Sequence, residues 1–460
     1  MIGGGISGLT AAWEVVRRCP GVSIEVLEAS DRVGGTAQTL VSAGLQLDTG
    51  PNGFLTNVPD TLDLVRELGA SGELLAAHDH AARRYLLRRE GLVALPTGPG
   101  AMLSTHLVGW RAKLRLLREP FVAPLPRGDE ESVWQFGARR VGADFADAFL
   151  APMVLGITAG DARATSLDAL FPRMRAMEQE HGSLVRALVA RRRASRRAPQ
   201  LAGATIGPAG PAGSLTTFRT GGMGRLPDLL AASLGERVRP RAHVEQVTRA
   251  ADGRWHVVTV DGSIRVARQL VVAVPAWEAA RLLRPTSEPL ADIAAAIPYA
   301  DVRVVALAYQ ASRVGRALDG FGFLVPRGHG YRLLGCLWTS SIFPHQAPDG
   351  TVLLRCVTGG VHEPAAVAAP EQASVTDVIG ELRAVLGLEG EPLRSDVFTW
   401  RRGIPQYTLG HLSRLRDAEQ TERSVGALHL TGNAWRGVGV NDCVRDGRRV
   451  GRAVAERLGH

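Results

Sequence analysis

The hydrophobic positions change period along the chain and so mark out its elements. Leu9-Thr10-Ala11-Ala12-Trp13-Glu14-Val15-Val16 reads as a helix, Pro20-Gly21 turns the chain, and Val22 to Leu27 alternates as a strand ending at Glu28. Residues 60–70, with Leu62, Leu64, Val65 and Leu68, read as an amphipathic helix closed by Gly69. Tyr85 to Pro96 reads as a hairpin, and residues 100–200 are mostly helical. An Ala/Gly/Pro linker follows at 202–213, and the stretch from Phe218 to Pro227 opens a helix. Val244 to Val247, Trp255 to Val260 and Ile264 to Arg268 form a small antiparallel layer. Gln269 to Ala276 is an apolar run suited to a strand buried on both faces. Strands over 302–309, 321–325, 332–338 and 351–357 have no helices between them, which predicts a second, antiparallel sheet. Ala427 to Asn433 ends a last strand, and a helix follows through Val450 and Ala453.

This layout predicts an α/β fold (an α+β composite): a Rossmann-type nucleotide domain, an antiparallel-sheet domain and a helical part. With 460 residues there is room for two or three domains at about 150 residues each. Hydrophobic residues are 45% and charged residues 22%, the balance of a folded globular protein rather than a disordered one. The net charge is +9 and almost all of the positive charge is arginine, with Lys113 the single lysine. We discount this charge as a sign of nucleic-acid binding; a basic surface also suits anionic lipid or an acidic ligand. The cysteines Cys19, Cys336, Cys356 and Cys443 form no C-x-x-C pair and no zinc spacing, so no metal is expected and the thiols read as reduced in a cytoplasmic setting.

The first chemical motif is Gly3-Gly4-Gly5-Ile6-Ser7-Gly8, a G-x-G-x-x-G turn followed by helix, turn, strand and the acid Glu28. Glycines let backbone N–H groups approach a pyrophosphate, the helix N-terminus supplies partial positive charge, and the acid accepts from a ribose hydroxyl. Only Met1 and Ile2 precede Gly3, whereas a strand of such a sheet has about five residues; the expectation is a start assigned too late. Glu28-Ala29-Ser30-Asp31-Arg32-Val33-Gly34-Gly35-Thr36 adds a second glycine pair for a further close approach, and Asp48-Thr49-Gly50-Pro51-Asn52-Gly53-Phe54 makes a rigid turn.

These segments resemble the flavoprotein family that includes amine oxidases, phytoene desaturases and protoporphyrinogen oxidases. Pro152 to Asp161, His181 to Leu184, Gly320 to Pro326, Ile404-Pro405-Gln406-Tyr407 with Gly410-His411, and Gly437 to Cys443 are collinear with the protoporphyrinogen oxidase branch. The resemblance implies FAD held by Gly3, Gly4, Gly5, Ile6, Ser7, Gly8, Glu28, Ala29, Arg32, Gly35, Thr36, Gly50, Pro51, Asn52, Gly53, Val244, Trp400, Val438, Gly439 and Val440. It implies oxidation of a porphyrinogen with O2 as acceptor in haem synthesis. Asn52 would lie at the reactive edge of the flavin, and Phe321, Leu324 and Val357 would wall the substrate. The implied organisation is an FAD domain in three parts (1–84, 214–285, 400–460), a helical membrane-associated domain (85–205) and a substrate domain (286–399). The basic amphipathic run Gly109 to Arg118 suits a peripheral membrane contact or a solvated face, and a homodimer is compatible with the reading. Where some relatives carry a basic residue after Leu95-Pro96-Thr97-Gly98, this chain has Gly100; Arg88 or Arg173 would be the substitutes. His411 reads as a surface histidine. Two other readings stand beside this one. One is a flavin amine oxidase with a cage from Tyr407 and Trp435, though a flavin-side lysine is missing. The other is a non-catalytic flavoprotein carrier of haem intermediates.

Overall fold

The computed structural model describes residues 1–197 and 213–459, so most of the 202–213 linker lies outside the described residues. The elements that position the site are, in chain order, helix α1 (Ile6–Arg18), strand β1 (Val26–Leu27), the hairpin β2 (Tyr85–Arg88) and β3 (Gly91–Ala94), helices α2 (Trp110–Leu116) and α3 (Ala151–Thr158), and strands β4 (Val238–Arg239) and β5 (Leu270–Val272). They continue with strands β6 (Tyr299–Gln310), β7 (Gly322–Leu324), β8 (Leu333–Trp338) and β9 (Thr351–Gly359), helix α4 (Glu371–Leu386), strand β10 (Arg394–Pro405), helix α5 (His411–Val425), strand β11 (Leu428–Leu430) and helix α6 (Val440–Arg457).

Ile2 stands at the centre of a parallel layer. It bridges Leu27 of β1 on one side and Val272 of β5 on the other. Outward from it, β1 pairs in parallel with β4, and β5 with β11. Alternation decides what each face buries. Val271 packs with Ala11 and Val15 of α1 and Val450 and Val454 of α6. Leu270 and Val272 point the other way, with Leu428 and Leu430, onto Val244, Val247, Trp255 and Val257 of the small antiparallel layer. Each such side chain contributes about 1.5–3 kcal/mol when fully buried.

The second sheet runs β10-β6-β9-β8-β7-β2-β3. All its pairings are antiparallel except β7 with β2. One face of β6 puts Val305, Leu307 and Tyr309 under Val375, Val378, Leu382 and Leu386 of α4. The opposite face puts Ala300 and Val302 against Leu155 and Ala159, and Ala306 and Ala308 against Leu45 and Leu47. The expected hairpin, small layer and four strands are all present. Two expected boundaries cut through structure, however. The hairpin assigned to the helical part is sewn to β7 through Phe323 and Leu324, and β10 runs across the 399/400 division. The first is a pairing of segments distant in sequence, which a local hydrophobic period does not report; the second is one continuous strand that serves both parts.

The helical region packs Val133, Phe136, Ala146, Leu150, Val154 and Leu167 into its own core. Beside this core sits a buried ionic knot. Glu178 Oε1 accepts from Arg139 Nη2 at 2.8 Å and Arg140 Nε at 2.6 Å, and Oε2 from Arg175 Nη1 at 2.5 Å. Burial alone would raise the Glu178 pKa, but Arg139 and Arg140 outweigh it and hold the carboxyl below its ordinary value. Glu178→Gln leaves buried guanidinium charge short of a partner, so stability falls by about 3–5 kcal/mol in denaturant melts. A depressed carboxyl stabilises above its unfolded pKa, and that contribution is lost as pH falls through the folded value. The variant therefore shows a shallower loss of stability below the ordinary carboxylate range than the parent.

Candidate active site

The first turn of α1 carries no capping side chain and no acidic residue, so the N–H groups of Ile6, Ser7 and Gly8 face outward unneutralised. The preceding turn is built by close approach. Gly3 has φ +104°, and a Cβ there would meet the Ala273 carbonyl oxygen at 2.6 Å, while one at Gly8 would run into the Gly3 carbonyl. Gly5 faces open space. Glu28, at the end of β1, is buried; its Oε2 accepts from Gly4 N at 2.7 Å and its Oε1 from Ser30 N at 2.8 Å. The segment that leads into Val244 lies alongside: Ala242 N donates to the Glu28 carbonyl at 2.8 Å. The second glycine pair folds onto the first, with Gly34 N donating to Gly4 O at 2.8 Å. Arg32 is held by Gln38 and Ala29 is exposed. The Gly50 to Gly53 turn presses on Thr36, since a Cβ at Gly50 would run into the Thr36 carbonyl.

The last helix completes the site. Gly447 and Gly451 let α6 cross α1 backbone to backbone; Cβ atoms there would meet Ser7 O at 2.6 Å and Ala11 O at 2.7 Å. Ile6 and Leu9 of α1 share one core cluster with Val440 and Val444 of α6, so the two helix N-termini converge. Asn441, which sequence reasoning passed over, ties the start of α6 to the loop before residue 61: its Nδ2 donates to Leu55 O at 2.8 Å. Gly3–Gly8, Glu28, Gly34–Thr36, Gly50–Gly53, Val244 and Val438–Val440 thus come from distant parts of the chain into adjoining loops. Uncapped N–H groups, an acid on the neighbouring strand and open space at Gly5 suit an anionic dinucleotide.

The floor under the Asp48–Gly53 turn comes from the second sheet. Trp400 Nε1 donates to Thr49 O at 2.9 Å, and Arg355 Nη2 donates to Gly50 O at 2.5 Å. Asp48 anchors the turn by accepting from Thr39 Oγ1 at 2.6 Å, Met223 N at 2.8 Å and Gln346 Nε2 at 3.2 Å. Burial raises its carboxyl above the ordinary range against those donors and Arg355. On the same sheet Leu324 pairs with Gly335, and Gly335 with Val357, so Leu324 and Val357 flank a position with no side chain. Val357 packs with Leu155, Leu334 and Trp400. A Cβ at Gly156 of α3 would touch Leu324 at 2.9 Å.

Phe321 lies just before β7, and the Arg84 guanidinium sits 4.8 Å from its ring centroid. Arg84 is accessible to solvent, yet burial lowers its pKa, the combination expected of a cleft wall. Among the described residues it has no ion pair. Sequence reasoning pointed elsewhere, to Arg88 or Arg173; Arg88 instead donates to Leu107 O at 3.1 Å. The signal for Arg84 was the run Arg83-Arg84 before an apolar strand, which carries no meaning until that strand is seen beside Phe321.

Two expectations are corrected. His411 is buried rather than superficial, with its Nε2 2.9 Å from the Trp435 carbonyl, and burial pushes its pKa down to about 4. The amine cage does not form: Tyr407 and Trp435 are both 2% exposed, and the Tyr407 hydroxyl is engaged by backbone. Lys113 is on α2, with Nζ on Leu103 O at 2.7 Å. No group of His, Cys, Asp and Glu among the described residues is arranged to hold a metal, and Cys19, Cys336, Cys356 and Cys443 are free thiols.

A family model for flavin-containing amine oxidoreductases matches residues 6–455. Coproporphyrinogen III oxidase of Propionibacterium freudenreichii subsp. freudenreichii is 32% identical over a 489-residue alignment, covering 99% of this chain and 90% of that protein. Protoporphyrinogen oxidase of Homo sapiens is 32% identical, covering 99% of this chain and 97% of that one. A crystal structure from Exiguobacterium sp. 255-15 superposes with a TM-score of 0.85 at 22% identity, over 99% of this chain and 98% of the other. The chain belongs to the flavin-containing amine oxidoreductases, within the protoporphyrinogen and coproporphyrinogen III oxidase family, and is an FAD-dependent oxidase.

Proposed function

We propose that the chain oxidises a porphyrinogen to the porphyrin in haem synthesis, with O2 as the final acceptor. The observation that carries this reading is the Arg84 guanidinium on the Phe321 ring, unpaired among the described residues and just before the strand whose Leu86 pairs with Leu324. A reduced tetrapyrrole has that character: a greasy macrocycle bearing carboxylates. FAD held there would supply a two-electron acceptor: in each of three rounds a carbon-bound hydrogen of the macrocycle would leave as hydride and a pyrrole nitrogen would lose a proton, with the electron pair and two protons going to one O2 to give hydrogen peroxide.

In this reading each part of the chain has a task. Gly3–Gly8 and the α1 N-terminus hold the pyrophosphate, Glu28 the adenosine ribose, and Ala29, Arg32, Gly35 and Thr36 the adjoining stretch, with Val244 beside the adenosine. Gly50, Pro51, Asn52 and Gly53 lie along the flavin ring, with Asn52 nearest the reacting edge and Trp400 fixing that turn from below. Val438 and Val440 would turn their N–H groups to the pyrimidine edge, with Gly439 between them holding the turn through its N–H to Asp442 Oδ2 at 3.3 Å, and the α6 dipole would favour the negative charge of the reduced ring. Phe321, Leu324 and Val357 exclude water and orient the macrocycle, and Arg84 takes a carboxylate.

The helical region serves as a membrane contact in this reading. Leu103, Trp110, Leu117 and Phe121 are 72%, 66%, 70% and 83% exposed, interleaved with Arg111, Lys113 and Arg118. No helix among the described residues is long and apolar enough to cross a membrane. An exposed apolar ridge with basic neighbours suits the surface of an anionic bilayer.

Three outcomes follow. Under anaerobic mixing, coproporphyrinogen or protoporphyrinogen bleaches the FAD-loaded protein and porphyrin fluorescence appears; bleaching by amines but by neither porphyrinogen would overturn the reading. Arg84→Met raises KM for the porphyrinogen about 10- to 100-fold with little change in kcat, because a charge-assisted bond of about 1.5–3 kcal/mol is lost, and Arg84→Lys recovers part of it. In sedimentation with vesicles containing anionic lipid, the parent pellets, while the double variant Trp110→Ser, Phe121→Ser stays in solution with its oxidase activity intact.

A further inference from the structure

The turn from Gly432 to Gly439 delivers the N-terminus of α6, yet its own backbone groups are satisfied largely by side chains from elsewhere. Tyr407 Oη accepts from Gly437 N at 2.7 Å and donates to the Asn433 carbonyl at 2.7 Å, closing the turn across its two ends. The His411 ring stacks on the Tyr407 ring with centroids 4.0 Å apart and planes 16° from parallel. Its Nε2–H donates to the Trp435 carbonyl, 2.9 Å away and between those ends. Burial keeps the imidazole neutral, and because the carbonyl can only accept, the single N–H is on Nε2. Two stacked rings from one short segment thus grip three backbone groups of the turn.

That segment is itself rigidly mounted. Gln406 Nε2 donates to Thr158 O at 2.9 Å, and Gln406 N to Pro298 O at 2.8 Å. Ser166 N donates to Tyr407 O at 2.8 Å and Leu409 N to Ala164 O at 3.0 Å. Gly410 N donates to Glu130 Oε2 at 2.7 Å. Residues 406–411 are therefore fastened to the helical region and to the start of β6, and reach from there to the turn. The turn needs such support: Gly437 has φ +132°, and a Cβ there would strike the Asp442 side chain.

We propose that Tyr407 and His411 are positioning residues that set the aim of the Gly437–Val440 backbone at the flavin pyrimidine edge and thereby tune how much more tightly the site holds reduced than oxidised flavin. The inference rests on the reading that Val438–Val440 face that edge. The polar atoms of both side chains bond to backbone groups of the turn. They act through the turn, and a fixed N–H array stabilises charge without reorganising.

The test is the flavin midpoint potential and FAD dissociation constant of the full chain and of Tyr407→Phe, by anaerobic spectroelectrochemical titration. Tyr407→Phe keeps the stack and removes both hydroxyl bonds. The expected result is a tenfold greater weakening of reduced than of oxidised flavin, which is ~30 mV more negative for a two-electron couple. His411→Phe, which keeps the stack and loses only the Trp435 bond, shifts the same way by less and serves if Tyr407→Phe fails to fold. A potential unchanged in both variants, with only thermal stability lowered, would overturn the proposal and leave the flavin-site reading standing. A parent chain that holds no FAD would overturn both.

Discussion

The first and last helices of the chain touch backbone to backbone because Gly447 and Gly451 put no side chain between them. Much else in the molecule is arranged around that contact. It stacks α1 and α6 on the same face of the parallel layer, over Val271, and brings their N-terminal turns into one apolar cluster. No side chain caps the first turn of α1, whereas in the first turn of α6 the Asp442 carboxylate accepts from Gly439 N at 3.3 Å, so the α1 donors stay free and the α6 end is partly satisfied. A flavin dinucleotide has negative charge at its pyrophosphate and gains it on its ring when reduced; in the proposed reading the two helix ends serve those two places.

The second sheet matters because it is clamped to the same region rather than hung beside it. Trp400 and Arg355 hold successive carbonyls of the Thr49–Gly50 turn, and Val357 lies on the same strand as Arg355, with Leu324 two strands further along the sheet. A shift of the sheet moves both the turn and the wall together. In the proposed reading, the spacing between flavin ring and macrocycle would then be a property of packed strands, not of a free loop, as hydride transfer over a short distance requires.

Legibility in the sequence followed the range of the interactions. The glycine turn, α1 and Glu28 were readable because their geometry is set within one local unit. The alternating strands were readable for the same reason. Pairings between distant segments were not, so the hairpin at Tyr85–Ala94 was grouped with the helices although it belongs to the sheet. Arg84 and His411 illustrate the same limit from opposite sides. One arginine among many became distinctive only when Phe321 was found beneath it, and one histidine in a polar run proved to be inside, bonded to a carbonyl of the turn before α6. The flavin assignment came through because several short motifs kept their order along the whole chain.

The central claim is that the crossing of α1 and α6 makes the flavin site. The direct measurement is equilibrium FAD binding to the parent and to Gly447→Leu, with circular dichroism to establish that both are folded. The account predicts one FAD per parent chain and a large loss of affinity in the variant, whose added side chain pushes the helices apart. A folded Gly447→Leu protein that binds FAD as tightly as the parent would contradict it.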